Sequence, residues 1–301
     1  MNQSPVILHG LFPPIPPPFN EEGGVATQAL REPLARWNQY DLAGYVVLGS
    51  NGEVVYLSEA EKLHVLETAR RAIPDDKVMI AGTGCEATHQ TIALTRKAAQ
   101  VGADAALVLA PHYYGNRMTP TALVQHYHAV ADAAPIPIIL YNMPKYTHVD
   151  MDAATIARAA QHPNVIGIKD SSGNITKLGD IVRLTDAGFQ VLAGSASFLF
   201  AGLALGAVGG VLALGNIAPE RCLDIYRWFK EGQWDKAAAL QRRMIPVNTA
   251  ITAQFGIAGL KVAMDMLGYY GGPVRPPLLP LSDAEREALR EILEEGGIKK
   301  S

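Results

Sequence analysis

The sequence predicts a (β/α)8 barrel, the TIM-barrel fold, followed by a helical appendage. From residue 27 onward, short apolar segments alternate with longer segments of amphipathic helical periodicity. The short segments are rich in Val, Ile, Leu and Ala without a period of two, which indicates strands buried on both faces and hence a parallel sheet. Eight strand–helix units can be counted, and eight is the number that closes such a barrel.

Seven of the strands follow directly from the apolar segments. They are placed at 44–48, 78–81, 105–109, 136–141, 165–169, 190–193 and 208–213. The first strand is placed at Leu8 to Ile15. Its prolines, among them Pro13 and Pro14, argue locally against a central strand because they cannot donate ladder hydrogen bonds.

The helices between these strands carry recognisable start signals. They are predicted at 27–38, 58–72, 87–101, 119–133, 152–161, 174–185 and 196–205. Ser58 and Glu61 form a capping-box pattern, Thr119 precedes a proline at the first helical position, and Asp150 or Asp152 can cap the next helix. After about residue 218 the pattern is all helical, at 218–231, 233–253, 256–268 and 282–295. We therefore predict a barrel over 1–230 and a C-terminal helical extension packed on it over 231–301.

Two other architectures compete with the barrel. A doubly wound open sheet normally carries a nucleotide-binding fingerprint, but Gly82-Thr83-Gly84 lacks the third glycine and the later acidic residue. A membrane span is suggested by 198–215, which has no charged residue but contains five glycines. We interpret that segment as a buried helix, a glycine turn and a buried strand.

Composition narrows the function. The 301 residues are 49% hydrophobic and 18% charged with net charge −3, and the basic residues are not clustered, which argues against nucleic-acid binding. Cys85 and Cys222 show no CxxC spacing and fit a reducing compartment. Residues 1–5 lack the basic flank of a signal peptide. No histidine and carboxylate set has metalloprotease spacing. We expect a cytoplasmic protein without a metal, a membrane or a nucleic-acid partner.

The active site of a TIM barrel lies at the C-terminal ends of its strands, and one strand ends in a lysine. Burying the ammonium of Lys169 without a partner is costly. A neutral buried lysine is a nucleophile that can form a Schiff base with a carbonyl substrate, whereas a lysine reaching solvent along its apolar stem is the alternative. The next residue, Asp170, should point away from the barrel interior because side chains alternate along a strand.

Other candidate residues follow the neighbouring strands. They are Ser50 and Asn51 after the second strand, Tyr113 and Tyr114 after the fourth, Tyr141 at the end of the fifth, Ser171 after the sixth, Gly194 after the seventh and Val211 in the eighth. Taken singly, Ser50-Asn51 could be only a turn, and the tyrosines could be packing aromatics. Together, an amine, phenols and hydroxyl-bearing turns at one mouth suit a carbonyl substrate with carboxylates.

Three motifs then point to a family. Gly49-Ser50-Asn51-Gly52-Glu53, Tyr141-Asn142-Met143-Pro144 and Gly167-Ile168-Lys169-Asp170-Ser171 resemble the lysine class I aldolases of the dihydrodipicolinate synthase / N-acetylneuraminate lyase superfamily. The resemblance covers nearly the whole chain in the right order. Within the superfamily, the segments 49–53, 191–195 and 255–273 are most similar to 4-hydroxy-2-oxoglutarate aldolase.

The resemblance implies roles and partners. Lys169 would be the Schiff-base lysine, Tyr141 the proton-shuttling phenol, and Tyr113 or Tyr114 the tyrosine that reaches a neighbouring subunit's site. Substrate contacts would come from Ser50, Asn51, Ser171 and Gly194, with Val211 as an apolar wall. The implied partner is pyruvate or another 2-oxo acid, the implied assembly is a homotetramer of two dimers, and no cofactor is implied.

Departures from the family guide the expected substrate. Synthases usually carry Thr-Thr where this chain has Ser50-Asn51, and they place an arginine where it has Tyr146. N-acetylneuraminate lyases have Lys-Phe-Thr at the Lys169 motif, and His148 replaces a common glycine. We therefore expect cleavage of 4-hydroxy-2-oxoglutarate to pyruvate and glyoxylate. The alternatives are 4-hydroxy-tetrahydrodipicolinate synthase, which condenses pyruvate with aspartate semialdehyde, and a non-catalytic 2-oxo acid binding protein.

Overall fold

The structure, a computed structural model, describes residues 5–300. Part of the signal-peptide argument concerns residues 1–4, which lie outside the described residues. The strands are β1 (Gly10–Phe12), β2 (Gly44–Val47), β3 (Val78–Gly82), β4 (Ala105–Leu109), β5 (Ile138–Asn142), β6 (Val165–Asp170), β7 (Gln190–Ala193) and β8 (Gly209–Val211). The strand predictions are confirmed in order and position.

The eight strands form one parallel sheet that curls into a nearly closed barrel. Their order is β1-β8-β7-β6-β5-β4-β3-β2, and the remaining seam, between β1 and β2, is joined by a parallel bridge from Pro14 to Val46. Val46 N–H donates to Pro13 O at 3.0 Å, and Ile15 N–H donates to Val46 O at 3.0 Å. The prolines are accommodated because the seam needs only the carbonyl oxygen of Pro13, and the N–H donor to Val46 comes from Ile15. The predicted (β/α)8 fold is confirmed.

Side-chain alternation separates the barrel interior from the layer beneath the helices. On β5, Ile139 and Tyr141 belong to the interior cluster, whereas Ile138 and Leu140 belong to the cluster between barrel and helices. Glycine is required where β8 approaches β1, since a Cβ on Gly209 would lie 1.9 Å from Gly10 O. The same alternation decides which residues at each strand end face the mouth.

The helices also agree with the sequence pattern, apart from one short helix directly after β5 that was not predicted. They are α1 (Arg31–Trp37), α2 (Glu59–Ala72), α3 (Thr88–Val101), α4 (Pro120–Ala133), α5 (Pro144–Thr147), α6 (Ala153–Ala159), α7 (Ile175–Leu184), α8 (Leu199–Ala204), α9 (Pro219–Lys230), α10 (Trp234–Thr249), α11 (Gly256–Met266) and α12 (Asp283–Glu295). Ser58 and Glu61 form the capping box of α2, Thr119 caps α4, and Asp152 caps α6.

The C-terminal helices pack on the barrel layer and on one another. Helix α10 contacts α8 and α9, and it continues into a π-helical turn, Ala250–Gln254, that packs on α11. Helix α12 contacts both α10 and α11. The division of the chain at residue 230 stays a prediction. The uncharged segment 198–215 forms α8, a turn and β8, and no helix in the described range has the length and apolarity to cross a membrane.

Candidate active site

Lys169 and Tyr141 lie side by side at the C-terminal end of the barrel. The β5–β6 register pairs Tyr141 with Lys169, and each residue is 4% exposed. Lys169 Nζ lies 3.9 Å from the centroid of the Tyr141 ring. The other two buried lysines, Lys177 and Lys261, each contact a carboxylate. A buried amine against a phenol ring is the chemistry expected of a nucleophile beside a proton carrier.

The turn after β2 brings a hydroxyl to the same phenol. Ser50 Oγ lies 3.0 Å from the Tyr141 hydroxyl, at hydrogen-bond distance. Ser50 and Asn51 belong to one short 3-10 turn, Ser50–Gly52, which we call the SNG turn. Leu48 and Glu53 bracket it in left-handed conformations, with φ of 63° and 44°. Such angles are uncommon for residues other than glycine and persist only where the surroundings enforce them.

Ser171 and Gly194 meet on the opposite side of Lys169, where β6 and β7 end. Gly194 N–H donates to Asp170 O at 2.8 Å, and Ser171 Oγ donates to Gly194 O at 3.4 Å. A Cβ on Gly194 would lie 2.0 Å from Ser171 Oγ, so the position excludes a side chain. Val211 belongs to the barrel-interior cluster that includes Tyr141.

The two tyrosines after β4 are not brought to Lys169 within one chain. Tyr113 and Tyr114 are 77% and 69% exposed, and their rings pack edge to face with centroids 5.0 Å apart. Their loop is held by Glu86, whose Oε2 accepts the N–H groups of His112 and Tyr113 at 2.9 and 2.8 Å. An ordered loop thus presents two phenols to solvent.

Tyr146 occupies the mouth beside Tyr141. It lies on α5, directly after β5, and is half-exposed. Partial desolvation raises the pKa of the Tyr146 phenol, and the neighbouring Tyr141 phenol adds to the rise. Tyr146 therefore stays protonated at neutral pH and can donate a hydrogen bond. His148 lies two residues further on, exposed and with φ of 54°.

Sequence reasoning missed a polar cluster on the outer side of the same strands. Asn142 Nδ2 donates to Asp170 Oδ1 at 2.7 Å and to Asp150 Oδ1 at 2.8 Å. Lys177 Nζ contacts Asp150 and lies 3.6 Å from Asp170 Oδ1. Asp170 is fully buried and faces the helix layer, as alternation predicts. In the sequence, a polar residue directly follows each member of the reactive pair, namely Asn142 after Tyr141 and Asp170 after Lys169. That repeated pattern was the signal that could have found the cluster.

A second buried pair, Glu53 with Lys261, was also missed. Glu53 Oε1 lies 2.6 Å from Lys261 Nζ, beneath the SNG turn. A single lysine within the apolar sequence of α11 was the signal that could have found it. Across residues 5–300, no group of three or more His, Cys, Asp or Glu is placed to hold a metal ion.

Comparison with known proteins decides the family. Residues 7–296 match the dihydrodipicolinate synthetase family. The chain belongs to this family. It is 36% identical over 288 residues to the 4-hydroxy-tetrahydrodipicolinate synthase of Methanothrix thermoacetophila, covering 95% of this chain and 96% of that relative.

Solved structures agree with the family assignment. The dihydrodipicolinate synthase of Aquifex aeolicus superimposes with a TM-score of 0.92 at 30% identity, covering 98% of this chain and 100% of that one. The dihydrodipicolinate synthase of Acinetobacter baumannii, solved in complex with pyruvate, gives a TM-score of 0.91 at 30% identity, covering 97% and 100%. The chain is therefore a pyruvate-dependent carbon–carbon lyase of the class I aldolase type.

The comparisons also correct the expected specificity. The closeness to 4-hydroxy-2-oxoglutarate aldolase is not supported, and the predicted cleavage of 4-hydroxy-2-oxoglutarate is wrong. Relatives at 33–36% identity along almost the full chain are named 4-hydroxy-tetrahydrodipicolinate synthase. The prediction rested on Ser50-Asn51 and Tyr146, a few mouth residues whose chemistry is compatible with more than one aldehyde. Membership in a family of enzymes likewise argues against the non-catalytic alternative.

Proposed function

We propose that this protein is a 4-hydroxy-tetrahydrodipicolinate synthase that condenses pyruvate with aspartate semialdehyde. The observation that carries the proposal is the 36% identity, over 95% of the chain, to a synthase of that name. The buried Lys169–Tyr141 pair supports it, because condensation through pyruvate needs an amine nucleophile and a proton carrier at one site.

In the proposed reaction, Lys169 Nζ attacks C2 of pyruvate, and loss of water gives a protonated imine. The imine withdraws electrons, so a C3 proton can leave and an enamine forms. The enamine C3 then bonds to the aldehyde carbon of the second substrate, whose oxygen takes up a proton to become the 4-hydroxyl. The amino group of that substrate attacks C2 of the resulting imine and displaces the Lys169 amine, which closes the ring of the product and frees the enzyme. No step requires an external oxidant or reductant.

Tyr141 is the proposed carrier of protons in these steps. Its hydroxyl is within hydrogen-bond distance of Ser50 Oγ, so a proton can pass between the two oxygens. Its ring lies against Lys169 Nζ, which places the phenol next to the atoms that gain and lose protons. Ser50 and Asn51 on the SNG turn are the proposed donors to the pyruvate carboxylate, opposite Ser171 and Gly194.

Tyr146 is the proposed donor to the carboxylate of aspartate semialdehyde. A phenol is neutral at pH 7, and burial moves the pKa of Tyr146 further upward, so Tyr146 donates one hydrogen bond, which is weaker than the two-pronged contact of an arginine. Tyr146→Arg should therefore lower the KM for aspartate semialdehyde and leave the KM for pyruvate unchanged. Tyr146→Phe, the matched control, should raise the KM for aspartate semialdehyde.

A homotetramer of two dimers and a cytoplasmic location belong to the same proposal. Tyr113 and Tyr114 form an exposed aromatic pair on an ordered loop at the mouth, as expected of residues that complete a site in a second copy. Cys85 and Cys222 are free thiols, which fits a reducing compartment.

The function is tested with two substrates and one trapping reagent. Purified protein should consume aspartate semialdehyde only when pyruvate is present, and borohydride with pyruvate should leave a stable adduct on Lys169. Lys169→Arg keeps a long basic side chain but removes the amine nucleophile, so it should abolish both signals. An adduct on Lys169 without consumption of aspartate semialdehyde would refute the synthase assignment while leaving the imine chemistry intact.

A further inference from the structure

Glu53 is the residue through which the SNG turn is attached to the rest of the molecule. It directly follows the turn, is 3% exposed and adopts a φ of 44°. Its Oε1 lies 2.6 Å from Lys261 Nζ, and its Oε2 accepts the N–H of Arg275 at 2.9 Å. A strained residue next to a reactive turn is thus held by two contacts from the C-terminal part of the chain.

The Glu53–Lys261 pair is enclosed on every side that the structure describes. Both side chains are 1% exposed. Lys261 Nζ also donates to Pro273 O at 2.8 Å and lies 4.3 Å from the Phe19 ring centroid. Burial lowers the pKa of Lys261, and the Glu53 carboxylate opposes that effect. The loss of hydration offsets much of the Coulomb attraction between two buried charges, so such a pair adds little to the free energy of folding. The Glu53–Lys261 pair is therefore better explained by the fixed position that it gives Glu53.

Arg275 extends the attachment along the rim of the barrel. Its Nη1 donates to Tyr56 O at 2.7 Å, and its Nη2 donates to Glu61 Oε1 at 2.6 Å. Glu61 is also the capping-box residue of α2. The segment that delivers Arg275 packs directly on α11, since a Cβ on Gly271 would lie 2.0 Å from Lys261 O.

We propose that Lys261 and Arg275 are positioning residues of the active site, acting on Ser50 and Tyr141 through Glu53. The inference rests on the proposed function, because it assigns the SNG turn and the Tyr141 phenol a part in the reaction. Moving the turn would break the 3.0 Å contact from Ser50 Oγ to the phenol. A misplacement of about 1 Å can cost on the order of a hundredfold in rate.

The test removes both buried charges together. In Glu53→Gln/Lys261→Met the shapes are kept and neither charge is left unpaired, so the barrel should fold. The matched control is Arg70→Met on the outside of the barrel. There Asp104 Oδ2 accepts the Met79 N–H at 2.7 Å and lies 3.4 Å from Arg70 Nη1, the same combination of backbone amide and cation.

Kinetics provide the first measurement. For the condensation of pyruvate with aspartate semialdehyde, the double variant should lose about tenfold or more in kcat/KM per folded molecule. Arg70→Met should stay within about twofold of wild type even where its Tm falls. The single variant Lys261→Arg keeps a cation beside Glu53, so its kcat/KM should lie between those of the double variant and wild type. A folded double variant with wild-type kcat/KM overturns the proposal.

Hydrogen exchange provides a measurement that does not depend on activity. Amides of residues 50–57 should exchange faster in the double variant, while those of α3 stay unchanged. Unchanged exchange at 50–57 overturns the proposal. If wild-type protein forms no pyruvate adduct, the proposed function fails but the exchange comparison still tests the positioning. If the double variant does not fold, Arg275→Met is measured in the same way, because it leaves only the partly exposed Glu61 carboxylate without its partner. Wild-type kcat/KM and unchanged exchange at 50–57 in that variant overturn the proposal.

Discussion

Removing one hydroxyl from Tyr141 should separate catalysis from stability. In Tyr141→Phe the ring remains, so the 3.9 Å contact with Lys169 Nζ is kept, and the 3.0 Å contact with Ser50 Oγ is lost. One neutral hydrogen bond contributes about 0.5–1.5 kcal/mol to stability. At about 2–4 °C per kcal/mol, the Tm should fall by only a few degrees. Turnover should fall by about 10²–10⁴, the usual contribution of a general acid–base group.

The assay compares two variants that lose the same hydrogen bond. Tyr141→Phe removes the proton carrier, whereas Ser50→Ala removes its partner and leaves the phenol able to bond to water. Consumption of aspartate semialdehyde with pyruvate, measured beside thermal unfolding, should show the larger rate loss in Tyr141→Phe and similar Tm values in both. If Tyr141→Phe retains more than about a third of wild-type turnover, the hydroxyl is dispensable and the proton-carrier role is wrong.

The remaining predictions concern the adduct, acid stability and assembly. Lys169→Ala should leave no borohydride-stable pyruvate adduct, and peptide mass mapping that finds the adduct on another lysine would contradict the assignment. The Arg275 guanidinium lowers the pKa of Glu61 from 4.5 to about 2, so its stabilisation is complete above pH 4.5 and is lost as pH falls towards 2. Glu61→Gln should therefore show a smaller drop in Tm than wild type over that interval, and an equal drop would argue against it. Sedimentation should show a tetramer weakened by Tyr113→Ala or Tyr114→Ala, and a fully active monomer would refute the assembly.

The fold was predictable because local patterns and tertiary burial agree. The segments 105–109 and 138–140 are continuous apolar runs, and both faces of their strands are buried in the structure. The capping signals at Ser58 and Thr119 set helix starts to within a residue. The first strand was the hard case. Its prolines are tolerated because Pro13 O accepts the N–H of Val46 across the seam and Ile15 supplies the donor to Val46 O, contacts that no local pattern encodes.

The site was predictable only where it follows from strand ends. Alternation places Lys169 and Tyr141 inward, and the structure pairs them. The contact between Glu53 and Lys261 joins residues more than two hundred positions apart, so sequence spacing carries no sign of it. The prediction of substrate specificity was wrong for a different reason. Tyr146 was interpreted as the loss of an arginine, but a protonated phenol is itself a donor, and one side chain does not identify an aldehyde.

The reactive pair is fixed to the barrel by the residues that come directly after it. Tyr141 and Asn142 close β5, and Lys169 and Asp170 close β6, with each pair opposite the other in register. Because alternation sends Asn142 and Asp170 outward, their 2.7 Å hydrogen bond lies on the other face of the sheet from the amine and the phenol. A one-residue slip of β6 along β5 would turn Lys169 out into the helix layer and Asp170 into the barrel. That slip would also break the contact of Asp170 with Lys177, so the outer polar cluster disfavours the register in which the inner site cannot form.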